Sequence, residues 1–262
     1  MRKIYVSVLC AALIALSLAG CGGKPSPDPA PVPEPTAEVK AALTETYNPG
    51  SVNPCLPSVV TEICSKEAYD GLSTGGVRPA SVILRVSADG NAKAENGETL
   101  GTLAEAYDEI GGRIVPIFRA ETDEEAAALI KFYKEVYRVT DSGVLSASPA
   151  LVKRVKDEIP EIRGLIAFAG TETPAEIIKT MGENSAITAI LPEGTGIETV
   201  RYIHARFKTA WVRSGADGFS AMRAAASGAY GIVTDDCAAA YEALKTFGNY
   251  DILRAPFNAA HR

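Results

Sequence analysis

The chain has 262 residues, 47% of them hydrophobic, and a formal net charge of -6. This supply of apolar side chains suffices for one sizeable folded domain. The acidic balance argues against a nucleic-acid partner, which would need a basic footprint, and with two histidines and no CxxC pair no metal ligand is assigned.

The first element in chain order is a leader. Met1-Arg2-Lys3 is a positive start and Val6 to Leu18 an apolar stretch too short to span a bilayer comfortably. Leu18-Ala19-Gly20-Cys21 resembles the lipobox read by lipoprotein signal peptidase, so residues 1–20 are expected to be removed and Cys21 to carry diacylglycerol. The expected location is the extracytoplasmic face of the cell membrane, with membrane lipid as a partner through Cys21. Residues 21–36 alternate proline with other residues and form an extended polyproline tether. Of the remaining cysteines, Cys55 and Cys64 are close enough to close a short disulfide loop in an oxidising compartment, whereas Cys237 opens a helix as a small buried thiol.

Residues 37–77 are expected to be a helical N-terminal extension, with helical pieces around Ala37 to Tyr47 and Ser65 to Leu72. From Arg78 onward short β-branched runs alternate with amphipathic stretches, the pattern of parallel βα units. Strands are expected at Ser81 to Val86, Ile114 to Phe118, Ser142 to Leu145, Gly164 to Phe168, Ala186 to Leu191, Lys208 to Val212 and Gly231 to Val233. Helices are expected at Leu100 to Ile110, Asp123 to Tyr137, Pro149 to Ile159, Pro174 to Met181, Ile197 to Phe207 and Cys237 to Phe247, with Asp123, Ser148, Thr173 and Asp236 near their starts as caps. Seven units are one short of a (β/α)8 barrel over residues 78–254. Either Tyr250 to Phe257 or the segment before Arg78 would supply the missing strand. An open doubly wound sheet is the alternative, but no glycine-rich phosphate loop follows the first strand.

Three stretches then carry a family likeness. They are Ser146 to Val155 followed by Ile159-Pro160, Thr199 to Ile203 with Thr209-Ala210-Trp211-Val212, and Gly228-Ala229-Tyr230-Gly231-Ile232-Val233-Thr234-Asp235. Together they resemble the glycerophosphodiester phosphodiesterase family, whose barrel is shared with phosphatidylinositol-specific phospholipases C. The resemblance implies phosphodiester cleavage by two histidines with a divalent cation, calcium or magnesium, held on carboxylates.

The departures from that family are as informative. The opening His-Arg-Gly strand is absent, Leu84-Arg85-Val86-Ser87 replaces a metal-binding Glu-x-Asp, and Phe118-Arg119-Ala120 replaces Glu-Ile-Lys. The domain's internal histidine, His204, shares a helical stripe with Val200, Ile203 and Phe207, which marks it as a packed residue. No cofactor is therefore expected in this chain, and it is expected to be catalytically inactive. Residues 255–262, ending in His261-Arg262, resemble the first strand of a catalytic family barrel. If the chain continued, His261 would be an acid/base and Arg262 a phosphate ligand.

A binding role is the alternative. Arg85, Arg119 and Arg213 end strands that would converge on one mouth of a barrel, beside Trp211 and Asp235. That set could hold a phosphodiester or other anionic small molecule through bidentate guanidinium contacts, although packing, helix capping and surface ion pairs account for the same residues.

Overall fold

The computed structural model describes residues 57–74, 78–110, 114–135, 142–215 and 218–249. Strands β1 (Ser58–Glu62), β2 (Ser81–Val86), β5 (Val115–Arg119), β6 (Gly143–Ser146), β7 (Arg163–Ala167), β8 (Thr188–Leu191), β9 (Thr209–Arg213) and β10 (Gly231–Thr234) are parallel neighbours. The sheet closes because β1 pairs with β10 on one side and with β2 on the other. Helices α1 (Lys66–Thr74), α2 (Leu103–Ile110), α3 (Asp123–Glu135), α4 (Pro149–Glu158), α5 (Pro174–Glu183), α6 (Ile197–His204), α7 (Gly218–Ala226) and α8 (Cys237–Asn249) follow the strands in turn. This is a complete (β/α)8 barrel. The one departure from strict alternation is a hairpin, β3 (Asn91–Lys93) and β4 (Thr99–Thr102), between β2 and α2.

The barrel expected from the sequence is thus observed, and its missing strand is β1, from the segment before Arg78. Residues 58–74 are the first βα unit, which corrects the assignment of that stretch to a helical extension. Residues 250–257, the other candidate for the eighth strand, lie outside the described residues, as do the leader, the tether, Cys21, the helical piece at 37–47 and His261-Arg262.

Side-chain alternation builds two cores. A central layer takes one inward residue from each barrel strand, Val60, Ile83, Ile117, Leu145, Leu165, Ile190, Trp211 and Val233, and Val115 and Ala167 pack against it inside the barrel. Their neighbours, among them Val59, Val82, Leu84, Phe118, Val144, Ile166, Ala189, Val212 and Ile232, point outward against the helices. Gly231 is required here, because a Cβ would lie 2.5 Å from Trp211 Cδ1. The outer core is densest at Phe118, which meets Phe132 and Tyr133 edge to face with ring centroids 5.7 and 6.2 Å apart.

Helix starts follow the expected chemistry with two shifts. Thr173 makes a full capping box with Glu176, and Asp236 accepts from the Ala239 backbone N–H at 2.9 Å. At α3 the cap is Thr122, which exchanges hydrogen bonds with Glu125, and Asp123 instead pairs with Arg154. Ser148 makes no side-chain cap; its N–H is taken by Ser146 Oγ at 3.0 Å.

Candidate functional site

In a (β/α)8 barrel, reactive groups gather at the C-terminal ends of the strands. Two residues beyond the inner ring, and so on the same side of each strand, stand Glu62, Arg85, Arg119, Arg213 and Asp235 from β1, β2, β5, β9 and β10. The corresponding positions beyond β6 to β8 are Ala147, Ala167 and Pro192, so the charge is confined to one sector of the mouth.

That sector is cross-linked. Glu62 bridges two arginines: Oε2 accepts from Arg213 Nη1, and Oε1 lies 3.9 Å from Arg119 Nη1. Arg119 also meets Glu95 Oε1 at 3.2 Å and Glu121 Oε1 at 2.7 Å. The hairpin brings in Glu95, whose N–H donates to Ile63 O at 2.8 Å, tying it to the end of β1. Glu121 Oε2 in turn accepts from Ser146 Oγ and the Ala147 N–H, both at 3.2 Å. Burial alone would lower the Arg119 pKa, but the Glu121 hydrogen bond and the charges of Glu95, Glu121 and Glu62 outweigh it and raise it. Arg119 is therefore a permanently charged strut held by three carboxylates.

The other expected site residues divide. Arg85 has no ion-pair partner among the described residues. Asp235 is exposed just beyond β10, close enough to Cys64 to act on its thiol. Trp211 belongs to the inner core, below the charged layer. A cavity of about 40 Å³ lies beside Arg213, lined by Gly194, Thr195, Val212, Ser220 and Arg223 among others. Cys64 is a free, exposed thiol whose Sγ donates to Glu62 O at 3.6 Å, and its expected disulfide partner Cys55 lies outside the described residues. Burial and the charges of Asp235, Glu62 and Glu95 push that thiol up, which keeps it protonated and a poor nucleophile.

His204 is at the opposite end of the barrel. Its Nε2 accepts from the Ala210 N–H at 3.2 Å, its ring stacks on Tyr230 with centroids 4.0 Å apart, and burial lowers its pKa. It is a neutral, half-buried histidine; the stripe expected through Val200, Ile203 and Phe207 holds for the first two, whereas Phe207 lies beyond the helix end and is fully exposed.

Three participants at the mouth were not foreseen from the sequence: Glu62, Glu95 and Glu121. The alternation Val60-Thr61-Glu62 after Val59 was the available signal for the first. The turn residues Asp89-Gly90 and Asn96-Gly97 framed the hairpin that delivers the second. With Asp235 these make four carboxylates against three arginines, so the mouth is a balanced ionic network and not a basic pocket.

The same architecture occurs in solved enzymes. A glycerophosphodiester phosphodiesterase from Parabacteroides distasonis superposes with a TM-score of 0.59 at 14% identity, over 76% of this chain and 100% of that one. A putative glycerophosphoryl diester phosphodiesterase from Silicibacter pomeroyi gives 0.61 at 13% identity, over 75% and 96%. An Oleispira antarctica phosphodiesterase, solved in complex with the product sn-glycerol-3-phosphate, gives 0.60 at 14% identity, over 72% and 97%. At these identities the likeness is one of fold. No family model matches the sequence, and neither does any curated protein.

Proposed function

We propose that this chain is a membrane-tethered relative of the glycerophosphodiester phosphodiesterases, anchored outside the cytoplasm through lipid on Cys21, whose described barrel does not itself hydrolyse phosphodiesters. The observation that carries this reading is the Glu62–Arg119–Arg213 network. It ties up the carboxylates of the charged sector of the strand ends, where a hydrolase of this fold would need an acid, a base and free metal ligands. A divalent cation does not fit the donors present. Glu62, Glu95 and Glu121 each face a guanidinium, and no described group of three or more His, Cys, Asp or Glu is arranged to hold an ion.

The purified chain, incubated with glycerophosphocholine and calcium or magnesium, should release no glycerol phosphate. Release that survives Glu62→Gln and Arg119→Ala would refer the activity to another site, and release abolished by them would overturn the proposal. Catalysis through His261 and Arg262 requires a longer native polypeptide. An immunoblot of the membrane fraction reads this directly against the 27.5 kDa of the present chain.

Arg85 favours a second reading, a binding module for a phosphodiester or other small anion. It lies in the charged layer, half-buried and without a carboxylate, and Arg119, Arg213 and Asp235 stand around the same opening, above Trp211. An anion would dock on Arg85 and compete with Glu62 and Glu95 for the other two arginines. Titration calorimetry with glycerol 3-phosphate should then show binding that Arg85→Ala removes.

A further inference from the structure

At the end of the barrel opposite the mouth, one residue departs from what folding alone would select. Helix α6 closes in a Schellman arrangement, with the Lys208 N–H donating to Ile203 O at 3.4 Å and the Phe207 N–H to His204 O at 3.0 Å. The residue at the left-handed position of this motif is ordinarily glycine; here it is Phe207, at φ 58°. Its side chain is 100% exposed. A bulky residue is strained in this conformation, and an exposed ring returns nothing to the core.

Phe207 is not isolated. Ile187 and Tyr230, 45% and 46% exposed, precede the neighbouring strands β8 and β10. Backbone hydrogen bonds join the three segments: the Thr209 N–H donates to Ile187 O at 2.8 Å and the Tyr230 N–H to Ala210 O at 2.9 Å. The same patch adjoins the start of the barrel, because the Ser58 N–H donates to Tyr230 O at 2.9 Å. The described chain therefore enters the barrel at this edge, at Ser58.

Charge is distributed to match. The connections around the patch carry exposed Arg163, exposed Arg206 stacked over the Tyr202 ring, and half-buried Lys208, whose Nζ donates to Ala186 O at 2.7 Å, against Glu161, while Glu183 faces Lys179. The end of α2, on the far side of the barrel, carries Asp108 and Glu109, and that of α3 carries Glu135 beside Lys134, which is paired with Glu158. The chain as a whole is acidic, so this basic sector runs against its composition.

We infer that Ile187, Phe207 and Tyr230, flanked by Arg163, Arg206 and Lys208, dock on the surface of an anionic lipid bilayer, with the Phe207 ring inserted among the headgroups. The orientation follows from the tether at Cys21 and rests on that reading: lipid at the start of the chain and a patch beside Ser58 bring the same end of the barrel to the membrane and turn the mouth away from it. Aromatic rings favour the headgroup region, and basic side chains beside them add attraction to anionic lipid.

The test uses the full mature chain with Cys21→Ser, so that no acyl chain contributes, sedimented with vesicles of phosphatidylcholine alone or with 30% phosphatidylglycerol. Binding is expected on the anionic vesicles only. Phe207→Gly should lower the partition coefficient on the order of tenfold while raising the thermal midpoint, so the loss cannot come from unfolding. Phe219→Ser, at the N-terminal end of α7 and 47% exposed, should leave binding unchanged. Equal binding of the Phe207→Gly and parent chains overturns the inference. So does concentration-dependent dimerisation that Phe207→Gly abolishes without any vesicle binding, since the patch would then be a contact between copies. Mass spectrometry of the native N-terminal peptide separates the two readings. Absent diacylglycerol with Phe207-dependent vesicle binding removes the tether and keeps the patch; lipid on Cys21 with Phe207-independent binding does the reverse.

Discussion

Replacing Glu62 by glutamine keeps its shape and removes the charge shared by Arg119 and Arg213. The Glu62 side chain is 16% exposed and that of Arg213 33%, so the bridge is shielded more than a surface pair and less than a core one. Arg119 would keep Glu95 and Glu121, but Arg213 would lose its carboxylate. A charge-assisted hydrogen bond in this setting contributes about 2 kcal/mol, and for a barrel of this size that loss lowers the thermal midpoint by roughly 4–8 °C. Arg213→Met should cost a similar amount. Because the two changes remove the same interaction, the double variant should be less destabilised than the sum of the singles by about 1.5 kcal/mol. Urea denaturation of the four proteins, followed by far-ultraviolet circular dichroism at pH 7, measures the cycle. Additivity within about 0.3 kcal/mol would refute the bridge as a stabilising unit, and the mouth would have to be regarded as loosely occupied charge.

The remaining expectations are simpler. Gly231→Ala forces a methyl against the Trp211 ring, and should cost about 1–3 kcal/mol and shift the tryptophan emission. Thr173→Ala removes both halves of the α5 capping box and should cost about 1 kcal/mol, measured by chemical denaturation. Phe207→Gly should stabilise the fold by about 1 kcal/mol, read from the same curves. His204 has a folded pKa lowered by burial, so the unfolded chain binds its proton more readily. Stability should therefore fall as pH drops below the ordinary histidine value of 6.5. His204→Gln should flatten that decline between pH 7 and 5, and an unchanged slope would show that another group titrates there.

Seven of the eight barrel strands were legible because β-branched runs between helical stretches recur from Ser81 to Val233. The eighth, β1, was obscured because Ser58–Glu62 follows an irregular proline-containing segment and has only two apolar residues, Val59 and Val60, between polar ones. Helix α7 escaped notice because its buried face is made of Ala221, Ala224, Ala225 and Ala226, which carry little hydrophobic periodicity. The convergence of Arg119 and Arg213 on one mouth follows from strand polarity and was foreseen. Their neutralisation was not, because Glu62, Glu95 and Glu121 come from one strand end and two loops, and local patterning does not tell which loop carboxylate folds back onto which arginine.

The seam between β1 and β10 has a consequence for biogenesis. Ser58 is paired with Gly231, so the first strand to emerge finds one of its two partners only when nearly the whole described chain is present. Contacts this distant in sequence form late and slowly. A nascent chain stopped after β9 would present two open strand edges, each a template for aggregation. Closure of the barrel is thus a checkpoint on length: the polypeptide stays unfinished until its last strand has been made.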